Sequence, residues 1–321
     1  MVDLLPYALS GLMLLTLVAS VVCWLRLLPA IFRQGLRGFA DSWLPARTRT
    51  RPFWGFAEFL IMFGSMMVIG QLALLVAIEN EWIARPEPNT GALEQSTMTG
   101  VLVMHGANYL ANLVAVIITL IWMRNIDRDA VRKLGLICDR DAVRLGLKAT
   151  VMILPPVILI SFAAAFLIPY EHPVLDVLAD LRSPGVFAVI FIGTAILTPV
   201  FEEMFFRGLL QGALQGFADR NLGIVGEPSQ SSANAGEPSA YHLDVAGDGA
   251  WRPVAYWPVI AASLLFASMH IGQGAAPIPL FFLSLGLGYL YRQTGSLIPC
   301  IVVHMILNGT TLIAEFIKPA L

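Results

Sequence analysis

Long, nearly uninterrupted apolar runs constrain the fold of this chain more than any other feature. Five of them have the length of a membrane span: Leu4–Leu25, Ala57–Ile78, Gly100–Met123, Leu145–Ile168 and Leu297–Ile317. In a helix, about 20 apolar residues cross the hydrocarbon core of a bilayer. Only 13% of the residues are charged, against about 25% in a soluble domain. This is too little charge to cover a water-soluble globule, so we expect lipid to surround most of the surface.

Three further apolar runs are shorter or carry polar residues: Val186–Phe217, Trp257–Ile271 and Ile278–Tyr291. With them, the sequence predicts an all-α fold, a polytopic transmembrane helical bundle of about eight spans. We divide it into four N-terminal helices, residues 1–184, and a C-terminal core, residues 185–317. The first apolar run is too long for a signal peptide and lacks its basic segment, so we expect a retained helix.

The loops after the first and third spans are strongly basic, whereas those after the second and fourth are mainly acidic. The basic residues are Arg26, Arg33, Arg37, Arg47, Arg49 and Arg51 in the first loop, and Arg124, Arg128, Arg132, Lys133, Arg140, Arg144 and Lys148 in the third. Because positively charged loops stay in the cytoplasm, we expect a multi-pass protein of the plasma or inner membrane with its N-terminus outside. The net charge of −2 gives no reason to expect nucleic acid as a partner.

Residues 218–254 form the one long hydrophilic insert of the C-terminal core. The sequence Gly-Glu-Pro-Ser occurs twice in it, at Gly226–Ser229 and Gly236–Ser239, amid further Ser, Asn and Gly residues. A segment this poor in apolar residues buries too little surface to offset the entropy of ordering. We therefore expect a flexible cytoplasmic loop.

The first cluster of polar residues inside a predicted span consists of Glu202, Glu203 and Arg207. Placing such residues inside a bilayer costs free energy, and residues found there are usually functional. Glu203 and Arg207 are four residues apart, with Glu first, which favours an ion pair on one helix face. Since two adjacent carboxylates do not both ionise freely in a low dielectric, we expect Glu203 to be structural and Glu202 to take part in proton transfer. Pro199, just before them, favours a kink.

Two further spans add polar groups. His270 lies roughly 20 Å along its predicted helix, and Asn308 roughly 16 Å along its own, at about 1.5 Å per residue. His304 and Asn308 are four residues apart and therefore share one helix face. These depths match the expected depth of Glu202, so we predict that the groups converge near the middle of the membrane.

This set of residues fits a site that activates water. A carboxylate assisted by an imidazole takes a proton from water, while a second imidazole and an amide can donate hydrogen bonds to an oxyanion. These groups suit the hydrolysis of an amide bond. Ser268, near His270, has no motif that would make it a nucleophile.

The motifs Glu202-Glu203-x-x-x-Arg207, Phe266-x-x-x-His270 and His304-x-x-x-Asn308 resemble, in this order, those of the CPBP family of intramembrane glutamic endopeptidases. This family includes the type II CAAX prenyl proteases and bacteriocin-processing or immunity proteins. The resemblance covers roughly residues 185–317. It implies that Glu202 is the catalytic glutamate, that His270 is its partner on the water, that His304 and Asn308 stabilise the oxyanion, and that Glu203 and Arg207 order the site.

The resemblance implies a substrate that is a membrane-associated peptide or protein, and it implies no cofactor. Two alternatives remain open from the sequence. In the first, Glu202, His270 and His304 bind zinc for metal-dependent proteolysis, although the HExxH helix is missing. In the second, the cluster is retained in a non-catalytic membrane scaffold, immunity or transport protein, although the chain shows none of the inverted repeats of a transporter.

Overall fold

A computed structural model of the chain describes residues 5–83, 98–168, 174–175, 177–178, 183–221 and 250–318. Most of these residues are helical, which confirms the predicted all-α fold. The N-terminal part contains α1 (Leu5–Trp43), α2 (Phe56–Glu79), α3 (Met98–Ile126), α4 (Ala130–Lys133) and α5 (Arg140–Ala165).

The C-terminal part begins with one continuous helical segment, the long helix, in which α-helical and π-helical turns alternate. It consists of α6 (Pro184–Ile190), π1 (Phe191–Leu197), α7 (Thr198–Glu202), π2 (Glu203–Gln211) and α8 (Gly212–Asn221). The helices α9 (Trp257–Ser268), α10 (Pro277–Thr294) and α11 (Ile298–Ile317) follow. Two short strands, β1 (Arg49–Thr50) and β2 (Ala250–Trp251), pair in antiparallel orientation.

Six of the described helices are long and apolar enough to cross a membrane: α1, α2, α3, α5, the long helix and α11. By contrast, α9 has 12 residues, about 18 Å at 1.5 Å per residue, and is shorter than the ~30 Å hydrocarbon core. It packs against α10, and neither helix is among the six, so the predicted total of about eight spans is approximate. The predicted span Trp257–Ile271 ends at Ser268, which places His270 in the turn that follows.

The first helix extends well past its predicted end at Leu25. It contains Pro29 and is interrupted at Gly35, whose φ of 70° lies in the left-handed region that favours glycine. Beyond this point, the ring of Trp43 stacks on Tyr289 of α10 at 6.3 Å, and the Tyr289 hydroxyl donates a hydrogen bond to the Ala40 carbonyl at 2.7 Å. The last turns of α1 therefore pack on α10.

The loops that were predicted to share one side of the membrane meet at one end of the bundle, which we call the loop end. The pairing of β1 with β2 joins the loop after α1 to the segment before α9. The Leu297 amide donates to the Gly135 carbonyl at 2.8 Å, which joins the loop after α3 to the turn before α11. Gly135 has a φ of 82°, and a Cβ there would lie 2.1 Å from the Gly295 carbonyl oxygen, so no larger residue fits. The side of the membrane that this end faces stays a prediction.

Both ends of the predicted hydrophilic insert are ordered elements. Residues 218–221 complete α8, and residues 250–251 form β2. Residues 222–249 lie outside the described residues, and their predicted flexibility stays a prediction.

The main apolar core surrounds π2. Met204, Leu209 and Phe266 are fully buried there, together with residues of α10 and α11. Trp54, from the loop after α1, donates its indole N–H to the Gly208 carbonyl of π2 at 2.9 Å. A Cβ on Gly212 would lie 2.8 Å from this indole nitrogen, so the close approach requires glycine. The core therefore encloses the segment that carries the predicted ion pair.

Candidate active site

Pro199 and Asn308 are connected through a carbonyl of the long helix. In π1, the Thr198 amide donates to the Gly193 carbonyl, five residues back. The next donor in this register would be residue 199, but proline has no N–H. The Thr194 carbonyl therefore lacks a helical donor, and the Asn308 side-chain amide donates to it at 2.9 Å. The irregularity expected at Pro199 takes the form of this π-helical segment, and Asn308 satisfies the carbonyl that it frees.

The ion pair predicted from the spacing of Glu203 and Arg207 is present. Arg207 Nε lies 3.1 Å from Glu203 Oε2, and the two side chains are 1% and 0% exposed. Arg207 has two further partners that the sequence did not indicate. Its Nη2 donates to the Ser284 hydroxyl at 3.0 Å, and its guanidinium lies 4.6 Å from the centre of the Phe266 ring. Such additional partners are needed because a buried ion pair must offset a large desolvation cost.

His304 lies between the two glutamates. Its Nδ1–H donates to Glu203 Oε1 at 2.7 Å, and its Nε2 lies 3.6 Å from Glu202 Oε2. The second distance is longer than a hydrogen bond, so Nε2 of His304 lies near Glu202 without being hydrogen-bonded to it. The Glu202 side chain is 18% exposed whereas that of Glu203 is fully buried. Glu202 is therefore the more accessible of the two carboxylates.

His270 lies at the edge of this cluster. Its Nδ1–H donates to the Phe266 carbonyl at 2.9 Å, which leaves Nε2 as an acceptor. Its ring centre is 4.9 Å from that of Phe266, which in turn lies 6.1 Å from His304. Among the hydrogen bonds of the described residues, none joins His270 to a glutamate. Phe266 is the side chain that both imidazoles and the Arg207 guanidinium contact.

The structure therefore brings together Glu202, Glu203, Arg207 and His304. His270 contacts this group through Phe266, and Asn308 is hydrogen-bonded to Thr194 instead. The zinc alternative requires Glu202, His270 and His304 around a single point. Within the part of the chain that the structure describes, no group of three His, Cys, Asp or Glu side chains is arranged to hold a metal ion.

Fold and site together define a polytopic membrane protein that encloses carboxylate, imidazole and guanidinium groups within its helices. Residues 184–310, which include all six predicted site residues, match the family model described as type II CAAX prenyl endopeptidase Rce1-like. This part of the chain is therefore similar to a domain of the CAAX-type intramembrane endopeptidases. No curated protein and no solved structure matches the chain.

Proposed function

We propose that this protein is an intramembrane endopeptidase in which Glu202 activates the water that hydrolyses a peptide bond. The substrate is a membrane-associated peptide or protein. The observation that carries the proposal is the chain of contacts from Arg207 through Glu203 and His304 to Glu202. It fixes one carboxylate as a buried anion and leaves the other partly exposed beside an imidazole.

In the proposed reaction, Glu202 takes a proton from water as the water oxygen attacks the carbonyl carbon. The carbonyl oxygen becomes an oxyanion in a tetrahedral intermediate. When this collapses, the C–N bond breaks, and Glu202 gives its proton to the leaving nitrogen. The products are a carboxylic acid and an amine, and Glu202 returns to its starting state.

The remaining residues have roles that their contacts support. His304 has one nitrogen on Glu203 and the other facing Glu202, so we assign to it the positioning of the glutamate pair. The Asn308 amide donates one N–H to Thr194, and its second N–H remains for the oxyanion. The free Nε2 of His270 accepts a hydrogen bond from the attacking water.

Replacing Glu202 by Gln tests the proposal, because it keeps the size of the side chain and removes the proton acceptor. We expect cleavage to fall by at least about 100-fold, the usual scale for a general base. Membrane proteomes of cells that produce the wild type or Glu202→Gln would be compared for peptides that accumulate uncleaved. Glu315→Gln, at the far end of α11, is the matched control. Equal proteomes for wild type and Glu202→Gln would exclude hydrolysis by Glu202 and favour a non-catalytic role.

A further inference from the structure

A stripe of buried polar residues runs along the long helix from the glutamates to the loop end. It consists of Glu203, Arg207, Gln211, Gln215 and Asp219, each four residues after the last. All five are between 0% and 2% exposed. We call this set the polar stripe. Side chains four apart lie on nearly the same face of a helix, so the stripe forms one line through an apolar core.

The polar stripe is only partly satisfied by protein groups. Gln211 Nε2 donates to the Gly288 carbonyl at 2.8 Å, and Gln215 Nε2 donates to the Ala255 carbonyl at 3.0 Å. These acceptors fix the orientation of both amides, so each Oε1 points elsewhere. Neither Oε1 has a hydrogen-bond partner among the described residues, and the same holds for Nη1 of Arg207. Buried polar atoms in this situation are normally hydrogen-bonded to internal water.

At the loop end of the stripe, protein groups satisfy the last side chain, Asp219. Both carboxylate oxygens of Asp219 are engaged, by the Trp251 indole N–H at 3.1 Å and by the Ala255 amide at 3.0 Å. This arrangement anchors β2 to α8. Among the described residues, the unpartnered atoms of the stripe therefore run from Gln215 to the ion pair of Arg207 and Glu203.

A small cavity lies beside the middle of the polar stripe. Its volume of about 10 Å³ is close to the minimum that one water molecule needs. Gln211, Gln215, Trp54 and Tyr291 are among the residues that line it, at the loop end. Outside this cavity, Gln211 Oε1 packs against α10 at Gly288, where a Cβ would lie 2.8 Å from it.

We infer that the middle of the polar stripe binds internal water that connects the loop end to the glutamate pair. One molecule occupies the cavity beside Gln215 and Gln211, and further molecules bind the unpartnered atoms of Gln211 and Arg207. The contacts Glu203–His304–Glu202 complete this line of water. Its role rests on the proposed hydrolysis, which consumes water and forms a carboxylic acid whose proton must leave an apolar enclosure. Gln211 and Gln215 are then positioning residues for this water.

Hydroxyl-radical footprinting by X-ray radiolysis tests the water without reference to activity. Trp54 and Tyr291 line the cavity and are 3% and 4% exposed, whereas Met62 lies in the core and is 0% exposed. We expect Trp54 and Tyr291 to be labelled faster than Met62, despite the greater reactivity of methionine, because radicals form from the bound water. Labelling of both aromatic residues no faster than that of Met62 would overturn the inference.

Gln211→Leu tests the role of the water, because leucine fills the space without polar atoms. We expect slower labelling of Trp54 and Tyr291 and a kcat about tenfold lower with little change in KM, since a tenfold change corresponds to about 1.4 kcal/mol of barrier. Gln293→Leu is the matched control, since Gln293 is a fully buried amide outside the stripe. Gly288→Ala, which pushes on the Gln211 amide, gives the same test if Gln211→Leu does not fold.

The two proposals fail separately. A wild-type kcat in both Gln211→Leu and Gly288→Ala would overturn the role of the water, while loss of cleavage in Glu202→Gln would still support hydrolysis. Full cleavage by Glu202→Gln would overturn the proposed function, and the wild-type labelling would still show whether the internal water is bound.

Discussion

The first two helices and the long helix have almost the same hydropathy but serve opposite purposes. The mean hydropathy of the most apolar 18-residue window is 2.2 in α1, 2.3 in α2 and 2.0 in the long helix. Only 6% of the residues in this window are buried in each of α1 and α2, whereas 33% are buried in the long helix. The apolar windows of α1 and α2 are therefore mostly open to lipid, while that of the long helix packs more closely against other helices, next to the segment that carries the polar groups. Hydropathy alone does not distinguish a helix that faces lipid from one that encloses a site.

The buried acids of the two regions differ in the same way. Glu58, in the first turn of α2, accepts the Gly55 amide at 2.9 Å and the Trp122 indole N–H at 3.4 Å. Neutral donors at a helix end satisfy it, as in a capping box. Glu203 instead contacts a guanidinium and an imidazole. Both carboxylates are buried, but only Glu203 belongs to the proposed catalytic cluster.

The largest expected effect on stability is that of Arg207→Met. This change leaves Glu203 buried without its counter-charge, and breaking a buried pair costs about 3–5 kcal/mol. We expect a clear drop in the thermal unfolding temperature in detergent. The surface change Arg132→Met, which breaks an exposed pair with Asp129, is the control and should cost at most about 1 kcal/mol. Equal effects of the two changes would show that Glu203 does not depend on Arg207.

Asn308→Leu should have a smaller effect, which a second change can partly reverse. It leaves the Thr194 carbonyl without a donor, at a cost of about 1–3 kcal/mol. In the double variant with Pro199→Ala, the backbone N–H that position 199 gains can supply the missing bond. A double-mutant cycle measured by chemical unfolding should therefore give a favourable coupling energy. Additive effects would contradict the link between Asn308 and Pro199.

Glu58→Gln should affect stability slightly and cleavage not at all. The amide keeps the size of the side chain and weakens two hydrogen bonds, each worth about 1 kcal/mol. Unfolding temperature and cleavage rate would be measured side by side with Glu202→Gln. If Glu58→Gln abolished cleavage in protein that remains folded, the contrast between the two regions would be wrong.

The smallest expected effect is that of metal removal. Because Glu202, His270 and His304 are not gathered around one point, we expect the cleavage rate after exhaustive chelation to stay within about twofold of the untreated rate, less than about 0.5 kcal/mol in barrier. Loss of activity that zinc restores would favour the zinc alternative instead.

Several parts of the site followed from spacing along the sequence. Residues four apart on a helix meet, so the Glu203–Arg207 pair was predictable. The polar stripe was also visible in principle, since polar residues recur every four positions from Glu203 to Asp219. The partners of His304 and Asn308 were not predictable, because they lie on the long helix, far away in sequence, and depend on how α11 packs there.

The sequence by itself determined that the chain is a helical membrane protein, because lipid is the solvent in which apolar helices of this length are stable. It also determined the order of the polar motifs and the residues able to form them. Only the tertiary structure decided which helices face lipid and which carboxylate is enclosed. The same is true of His304 between the two glutamates and of Asn308 on the carbonyl that Pro199 leaves free. These features depend on the relative rotation and depth of packed helices. Neither hydropathy nor spacing within one helix contains this information.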